Sequence, residues 1–448
     1  MIEKYNFPVP RYTSYPTVPY WENNLEPKSW KESVKMEFDA TNSTEGISLY
    51  IHLPFCESLC TYCACNTRIT VNHQVEKPYI QSLLKEWQLY LEIVMGIPKI
   101  KELHLGGGTP TFFSPLNLKE LIEGILSRSE LHPDANLSFE AHPDNTTLEH
   151  LQVFYRLGFK RLSFGIQDFN VKVQEAINRF QNFEFVFEKI SQARQIGFTS
   201  INVDLVYGLP FQTLKSLEDS LDKVIQLKPD RIAFYSYAHV PWLKPGQRKF
   251  NESDLPSNEL KRSLYEKGRD KFIENGYFEI GMDHFSLPTD DLWKSRNSGR
   301  LHRNFMGYTS GFTKLLIGLG VSSISDSWNA FSQNVKTVEE YNGILSQNKL
   351  PLLRGHQLNN EDLILRKHIL QLMCNFNTKW ENLSEQTPGL FEGLVRMEPL
   401  IKDGLIDIDQ HSLSITELGK PFLRNICMCL DARYFAVSRS DKIFSTSI

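Results

Sequence analysis

Short apolar runs recur through the middle of the chain, and amphipathic stretches separate them. The runs are Leu49–Phe55, Glu102–Leu105, Leu137–Ala141, Arg161–Gln167, Ser200–Val206 and Arg231–Tyr237, each of a length that suits a buried strand. The clearest helical stretch is Pro78–Val94, where Ile80, Leu83, Leu84, Trp87, Leu91 and Val94 return at helical spacing and Pro78 suits the first turn. Leu116–Leu126, Leu148–Leu157, Phe185–Ile196 and Leu217–Leu227 repeat the pattern. Strand alternating with helix predicts parallel strands joined by right-handed crossovers. The six units predict an α/β fold, a partial (β/α)6 barrel rather than a closed barrel of eight.

The flanks read differently. Residues 1–45 form a segment of their own, an N-terminal arm in which RYTSYPT suits extended chain and KSWKESVKMEFD, 28–39, suits one short helix. ATNSTEG, 40–46, is a polar linker. The barrel and its extension occupy 46–350, with mixed loop and short strand around 280–330 (GMDHFSLP, RLHRNFMGYTSG, LLIGLGVSSIS). Over 351–448, helical segments Asp362–Cys374 and Phe391–Ile401 precede a hairpin, LIDIDQHSLSIT, and a final helix over 417–430. That order predicts a mainly helical, winged-helix-like C-terminal domain.

Composition narrows the class of protein without naming it. A chain of 448 residues is long for one core, so a large domain plus a smaller one is expected. A formal net charge of −4 gives no bulk attraction to nucleic acid or to a membrane surface. No apolar run approaches the roughly 20 residues that span a bilayer, and the first residues lack an apolar signal core. A cytoplasmic protein with reduced thiols is the expectation, so clustered cysteines point to metal or redox chemistry rather than to disulfides.

Such a cluster is present. CESLCTYCAC places Cys56, Cys60, Cys63 and Cys65 within ten residues, directly after the strand-like run ending at Phe55. Thiolates hold the irons of iron–sulfur clusters, and three cysteines on one tight loop can converge on three irons of a cubane, leaving the fourth iron open. A structural zinc site is the alternative, but zinc usually draws paired ligands from separate turns, and Cys63 and Cys65 lie too close together for that pattern. A second signal is GGGTPT, Gly106–Thr111, after the strand ELHL. Three glycines remove every β-carbon there and let a ligand approach the backbone. The spacing is neither a dinucleotide fingerprint nor a P-loop; a plain tight turn is the bland alternative. Glu140, Gln167, Asp168 and Asp204 fall at or near corresponding strand ends. Acids at buried strand ends are paired or used, and their common position predicts one pocket at the C-terminal edge of the barrel.

These residues resemble the radical S-adenosylmethionine enzymes, and within them the oxygen-independent coproporphyrinogen III oxidase family. The three-cysteine motif with Tyr62 before its last cysteine carries the first resemblance. Cys65, Asn66, PRYTSYPT, GGGTPT, GIQDFN, YGLP, GMDHF, LHRNFMGYT and RNICMC carry the second, over residues 10–429. The resemblance implies a 4Fe–4S cluster on Cys56, Cys60 and Cys63, with Cys65 outside the ligand set. It also implies two S-adenosylmethionine molecules, the first at Tyr50, Gly107, Glu140 and Ile324, the second at Tyr62, Gly108, Thr109, Gln167, Arg179, Asp204 and Ala238. The implied activity is that of a coproporphyrinogen dehydrogenase in haem biosynthesis. A 5′-deoxyadenosyl radical takes hydrogen from the β-carbon of two propionates of coproporphyrinogen III, which lose carbon dioxide and become the vinyl groups of protoporphyrinogen IX. An electron donor, a final electron acceptor and a monomeric state are implied with it. Ala64 stands where the family usually has glycine.

Four carboxylates on the substrate call for cations in the pocket. Arg11, Arg300, His302 and Arg303 are the candidates by charge matching. Three other readings compete. A haem chaperone of the same superfamily keeps the three-cysteine motif but lacks the fourth cysteine and the PRYTSYPT arm, both present here. A radical methyltransferase acting on haem needs a different C-terminal half. A nucleic-acid-binding regulator rests only on the winged-helix-like tail, whose charge is mixed.

Overall fold

The computed structural model describes residues 1–23 and 25–436; residues 437–448 of the C-terminal segment lie outside the described residues. Six strands, β1 (Ile47–Leu53), β2 (Lys99–Gly107), β3 (Glu130–Ala141), β4 (Arg161–Gln167), β5 (Ser200–Tyr207) and β6 (Arg231–Ser236), lie side by side in chain order. Every neighbouring pair among them is parallel. Helices α1 (Glu76–Val94), α2 (Pro115–Leu126), α3 (Leu148–Arg156), α4 (Phe183–Ile196) and α5 (Leu214–Leu227) provide the crossovers, and Val171–Ile177 adds a short helix ahead of α4. β1 is buried along all seven residues, as a strand covered on both faces must be, which is why it reads as an unbroken apolar run.

The sheet continues on both sides as one set of twelve strands. Leu316–Leu319 pairs parallel with β1, and Ile324–Asp326, Ala330–Asn334 and Leu352–Gln357 follow antiparallel. Beyond β6, His284–Ser286 and Phe278–Gly281 close that end antiparallel. The fold is a partial α/β barrel with antiparallel extensions. β3 begins at Glu130, well before the expected Leu137. Its first residues, ELHPD, are mostly exposed and hold no apolar run to mark them; pairing of Glu130 and Leu131 with Lys99 and Ile100 makes them strand.

The C-terminal region has a core of its own. Asn360–Asn375 packs with Leu423–Cys429, and a three-stranded sheet joins Asn377–Lys379, Ile406–Ile408 and Ser412–Ile415. The expected helix over Phe391–Ile401 is two, Pro388–Arg396 and Glu398–Lys402, broken at Met397 before Pro399. The expected helix over 417–430 is a 3-10 turn, Lys420–Phe422, followed by Leu423–Cys429. The first residues of the N-terminal arm belong to this core: Tyr5, Val9, Tyr12 and Tyr15 are buried against Leu365, Ile369, Met373 and Ile426. Tyr12 donates to Asp431 at 3.0 Å. The helix Pro27–Thr41 instead buries Trp30, Val34 and Phe38 in the barrel core. The arm therefore bridges the barrel and the C-terminal region.

Candidate active site

The cysteine loop leaves β1 and is bracketed by two short strands, Phe55–Cys56 and Arg68–Ile69, paired parallel. It is tied to the barrel at several points. Thr61 N–H donates to the Ile177 carbonyl at 2.9 Å, and Asn178 Nδ2 donates to the Leu59 carbonyl at 2.9 Å. Cys56, Cys60 and Cys63 are half-buried and line one wall of a cavity of about 490 Å³; Cys65 lines it too, and is exposed.

The C-terminal ends of β2 to β6 form the opposite wall. Gly107, Gly108 and Thr109 come from β2 and its turn, Glu140 from β3, Gln167 from β4, Asp204 from β5, and Ala238 follows β6. Tyr62, Arg179 and Arg11 complete the candidates that line the cavity. The glycines are demanded by contact. A β-carbon on Gly106 would lie 2.9 Å from the Glu140 carboxylate, and one on Gly108 would lie 2.6 Å from the Pro54 carbonyl oxygen. The Glu140 carboxylate accepts from Gly107 N–H at 3.1 Å and lies 3.5 Å from His104 Nε2. Burial opposes its ionisation, but the His104 contact and the Gly107 N–H outweigh that and hold it below the usual carboxylate range. Asp204 is pushed up to about 6, first by burial and then by Glu140.

The thiols have distinct surroundings. Cys56 Sγ lies 3.3 Å from Thr109 Oγ1, and burial raises its thiol to about 11. Cys60 Sγ accepts from Arg179 Nη1 at 3.6 Å. Cys63 is lowered to about 7, chiefly by its hydrogen bond with Cys65 and with help from Lys244 and Arg179. Among the described residues no three Cys, His, Asp or Glu side chains are placed to hold a single metal ion. Three soft thiolate donors spread along one wall fit a group larger than one ion, and the donor set is that of an iron–sulfur cluster.

Not every candidate reaches this cavity. Tyr50 sits mid-strand in β1, hydrogen-bonded to His52 Nδ1 at 3.0 Å and stacked near His104, and does not line it. Ile324 packs with Trp21 and Phe331 away from it. Arg300 and His302 line a different cleft of about 1060 Å³, bounded by the N-terminal ends of β4 and β5. Arg303 is buried with its guanidinium over the Tyr308 ring. Arg11 does line the cavity, but it is ion-paired with Asp283. Charge alone chose these residues, and charge carries no information about which end of a barrel a loop occupies. Asp168 is a structural acid, accepting from Gln212 at 2.7 Å and Ser220 at 2.8 Å. Ser163 and Tyr235 line the cavity and were missed. Strand alternation places Ser163 on one face with Gly165, so that signal was available; nothing comparable marks Tyr235.

Residues 50–224 match the model of the Radical SAM superfamily, and residues 358–422 match the HemN C-terminal domain. The oxygen-independent coproporphyrinogen III oxidase of Escherichia coli (strain K12) is 38% identical over 436 residues, covering 96% of this chain and 94% of its own. The chain belongs to the oxygen-independent coproporphyrinogen III oxidase family. The Synechocystis sp. member of that family is 36% identical over 457 residues, covering 100% of this chain and 97% of its own. The solved structure of coproporphyrinogen III oxidase (HemN) from Escherichia coli, described as a radical SAM enzyme, matches with a TM-score of 0.89 at 36% identity, over 94% of this chain and 97% of that one. Membership of the oxidase family thus extends across both the barrel and the C-terminal region.

Proposed function

We propose that this protein carries out the oxygen-independent oxidative decarboxylation of two propionate side chains of coproporphyrinogen III, giving the vinyl groups of protoporphyrinogen IX. It is an oxidoreductase of haem biosynthesis. The observation that carries this reading is the single cavity in which three thiols of one loop face a glycine-lined strand edge and the Glu140 carboxylate. A 4Fe–4S cluster and S-adenosylmethionine, when bound, supply the one-electron chemistry that removes hydrogen from each propionate β-carbon.

The chain's own residues do the rest. Cys56, Cys60 and Cys63 would hold the irons, with Arg179 Nη1 donating to Cys60 Sγ at 3.6 Å. Gly107 and Gly108 let a ligand reach main-chain groups, and the ionised Glu140 offers an acceptor for an ammonium. Two S-adenosylmethionine molecules are proposed: the first against Tyr50, Gly107, Glu140 and Ile324, the second against Tyr62, Gly108, Thr109, Gln167, Arg179, Asp204 and Ala238. Equilibrium dialysis of the reconstituted protein would count them; one molecule per chain would reject the second. Neither Tyr50 nor Ile324 lines the cavity, so the first set would need main-chain contact or movement. Arg11 is kept as a substrate contact. The protein is read as a cytoplasmic monomer that takes electrons from a donor and passes them to a final acceptor. No described helix is long and apolar enough to cross a membrane.

The decisive experiment is anaerobic reconstitution followed by incubation with coproporphyrinogen III, S-adenosylmethionine and a reductant. Brown protein that yields protoporphyrinogen IX supports the reading. Reconstituted protein that binds haem and never decarboxylates would favour the chaperone instead.

A further inference from the structure

The cations chosen from sequence leave the four carboxylates of the proposed substrate poorly served. Two of them line the other cleft, Arg303 is buried with its guanidinium over the Tyr308 ring, and Arg11 already has Asp283. The cavity itself, about 490 Å³, has the cysteine loop as one wall. A tetrapyrrole that reaches this wall would also meet the surface beside the loop.

Other cations stand there. Lys244 Nζ donates to the Cys65 carbonyl at 3.0 Å, and Asn66 Nδ2 donates to the Lys336 carbonyl at 2.9 Å. Arg354 projects from the neighbouring strand Leu352–Gln357, where its Nε donates to Gln333 Oε1 at 2.8 Å. Gln333, three residues before Lys336, pairs with Arg354 across the sheet, and burial first, then Arg354 and Lys244, hold the Lys336 ammonium below its ordinary pKa. No carboxylate pairs with any of the three among the described residues; Glu339 is paired with Arg68 at 3.1 Å and Glu57 with His73 at 3.4 Å. Next to Lys244, Trp242 and Leu243 are 51% and 62% exposed. The surface beside the cysteine loop therefore joins an apolar face to a group of unpaired cations.

We infer that Lys244, Lys336 and Arg354 hold peripheral carboxylates of the tetrapyrrole while its macrocycle lies over Trp242 and Leu243. The inference rests on the function proposed above. Unpaired cations crowded together repel one another, and a polycarboxylate removes that repulsion. Lys336 is exposed and Lys244 and Arg354 are half-buried, so solvent still screens the pairing, each cation contributes modestly, and the effect weakens with salt.

The test uses reconstituted holoenzyme with dithionite as reductant, which needs no docking site. Lys336→Gln/Arg354→Gln and the triple variant with Lys244→Gln are compared with wild type, and iron and sulfide are measured for each. The expected result is a Michaelis constant for coproporphyrinogen III raised about three-fold per cation, with kcat retained and with arginine at 244 or 336 restoring affinity. Fluorescence titration with coproporphyrin III, a stable tetracarboxylate, should weaken in parallel, and the wild-type salt dependence should flatten. An unchanged Michaelis constant and unchanged coproporphyrin affinity in a wild type that turns over substrate would overturn the inference and leave the function standing. Normal kinetics with dithionite but slow turnover with an acidic electron-carrier protein would also overturn it, assigning the surface to the donor. Should Lys244→Gln lose iron, the double variant, whose side chains make no hydrogen bond to the cysteine loop among the described residues, carries the test.

Discussion

Alanine at two neighbouring glycines should damage two different things. At Gly108 the new β-carbon meets backbone: 2.6 Å from the Pro54 oxygen, 2.7 Å from its carbon and 2.9 Å from the Phe55 oxygen. Favourable carbon contacts lie at about 3.5–4.0 Å, and main chain cannot swing aside as a side-chain end can. Gly108 N–H also donates to the Leu53 carbonyl at 2.8 Å and Thr109 N–H to the Phe55 carbonyl at 3.0 Å. The clash must push the root of the cysteine loop away from β2, taking Cys56 off Thr109. Overpacking of this kind costs roughly 1–3 kcal/mol, so cluster retention against a mild chelator should fall about 5- to 150-fold while far-UV dichroism is kept. At Gly106 the three atoms nearest the β-carbon are those of the Glu140 carboxylate, at 2.9–3.1 Å. Glu140 can turn, losing its hold on Gly107 N–H, so iron content should stay normal and S-adenosylmethionine binding should weaken. Iron content, chelator kinetics and equilibrium dialysis on both variants read the difference. Wild-type iron retention in Gly108→Ala, or equal iron loss in Gly106→Ala, would refute the reasoning.

Other expectations follow from the same contacts. Cys56→Ala, Cys60→Ala and Cys63→Ala should each abolish cluster binding, whereas Cys65→Ala should keep it, as iron and sulfide assays would report; equal loss in Cys65→Ala would overturn the ligand set. Arg300→Ala, on the other cleft, should leave the Michaelis constant for coproporphyrinogen III unchanged. Glu86 is buried, accepting from Tyr341, Gly320 and Asn334, and burial raises its carboxyl from 4.5 to about 7. Between those values the folded chain keeps a proton that the unfolded chain releases, so stability falls as pH rises, by about 3 kcal/mol or about 3 °C of Tm in all. A Glu86→Gln variant should lose that slope in thermal melts between pH 5 and 7, and an undiminished slope would assign it elsewhere.

The periodic middle of the chain was legible because burial on both faces of a parallel strand leaves an unbroken apolar run, as in β1, and amphipathic helices must cover it. The cysteine loop, Gly106–Thr109, Glu140, Gln167 and Asp204 were legible for a related reason: parallel topology sends every strand's C-terminal end to one edge, so strand order alone assembles them. Residues whose partners are distant in sequence were not. The exposed start of β3 is strand only because β2 lies beside it. The arm's tyrosines look like an extended polar segment until the core around Leu365 and Ile426 closes over them. Above all, the chain alone did not reveal which cations meet the site. Arg300, His302, Lys336 and Arg354 are equally plausible as charges, and they lie in loops and short strands whose positions no period encodes. Packing of the extensions on either side of the barrel sends the first pair to one end, brings the Lys336 main chain against Asn66, and pairs Arg354 with Gln333 on the strand that leads to it.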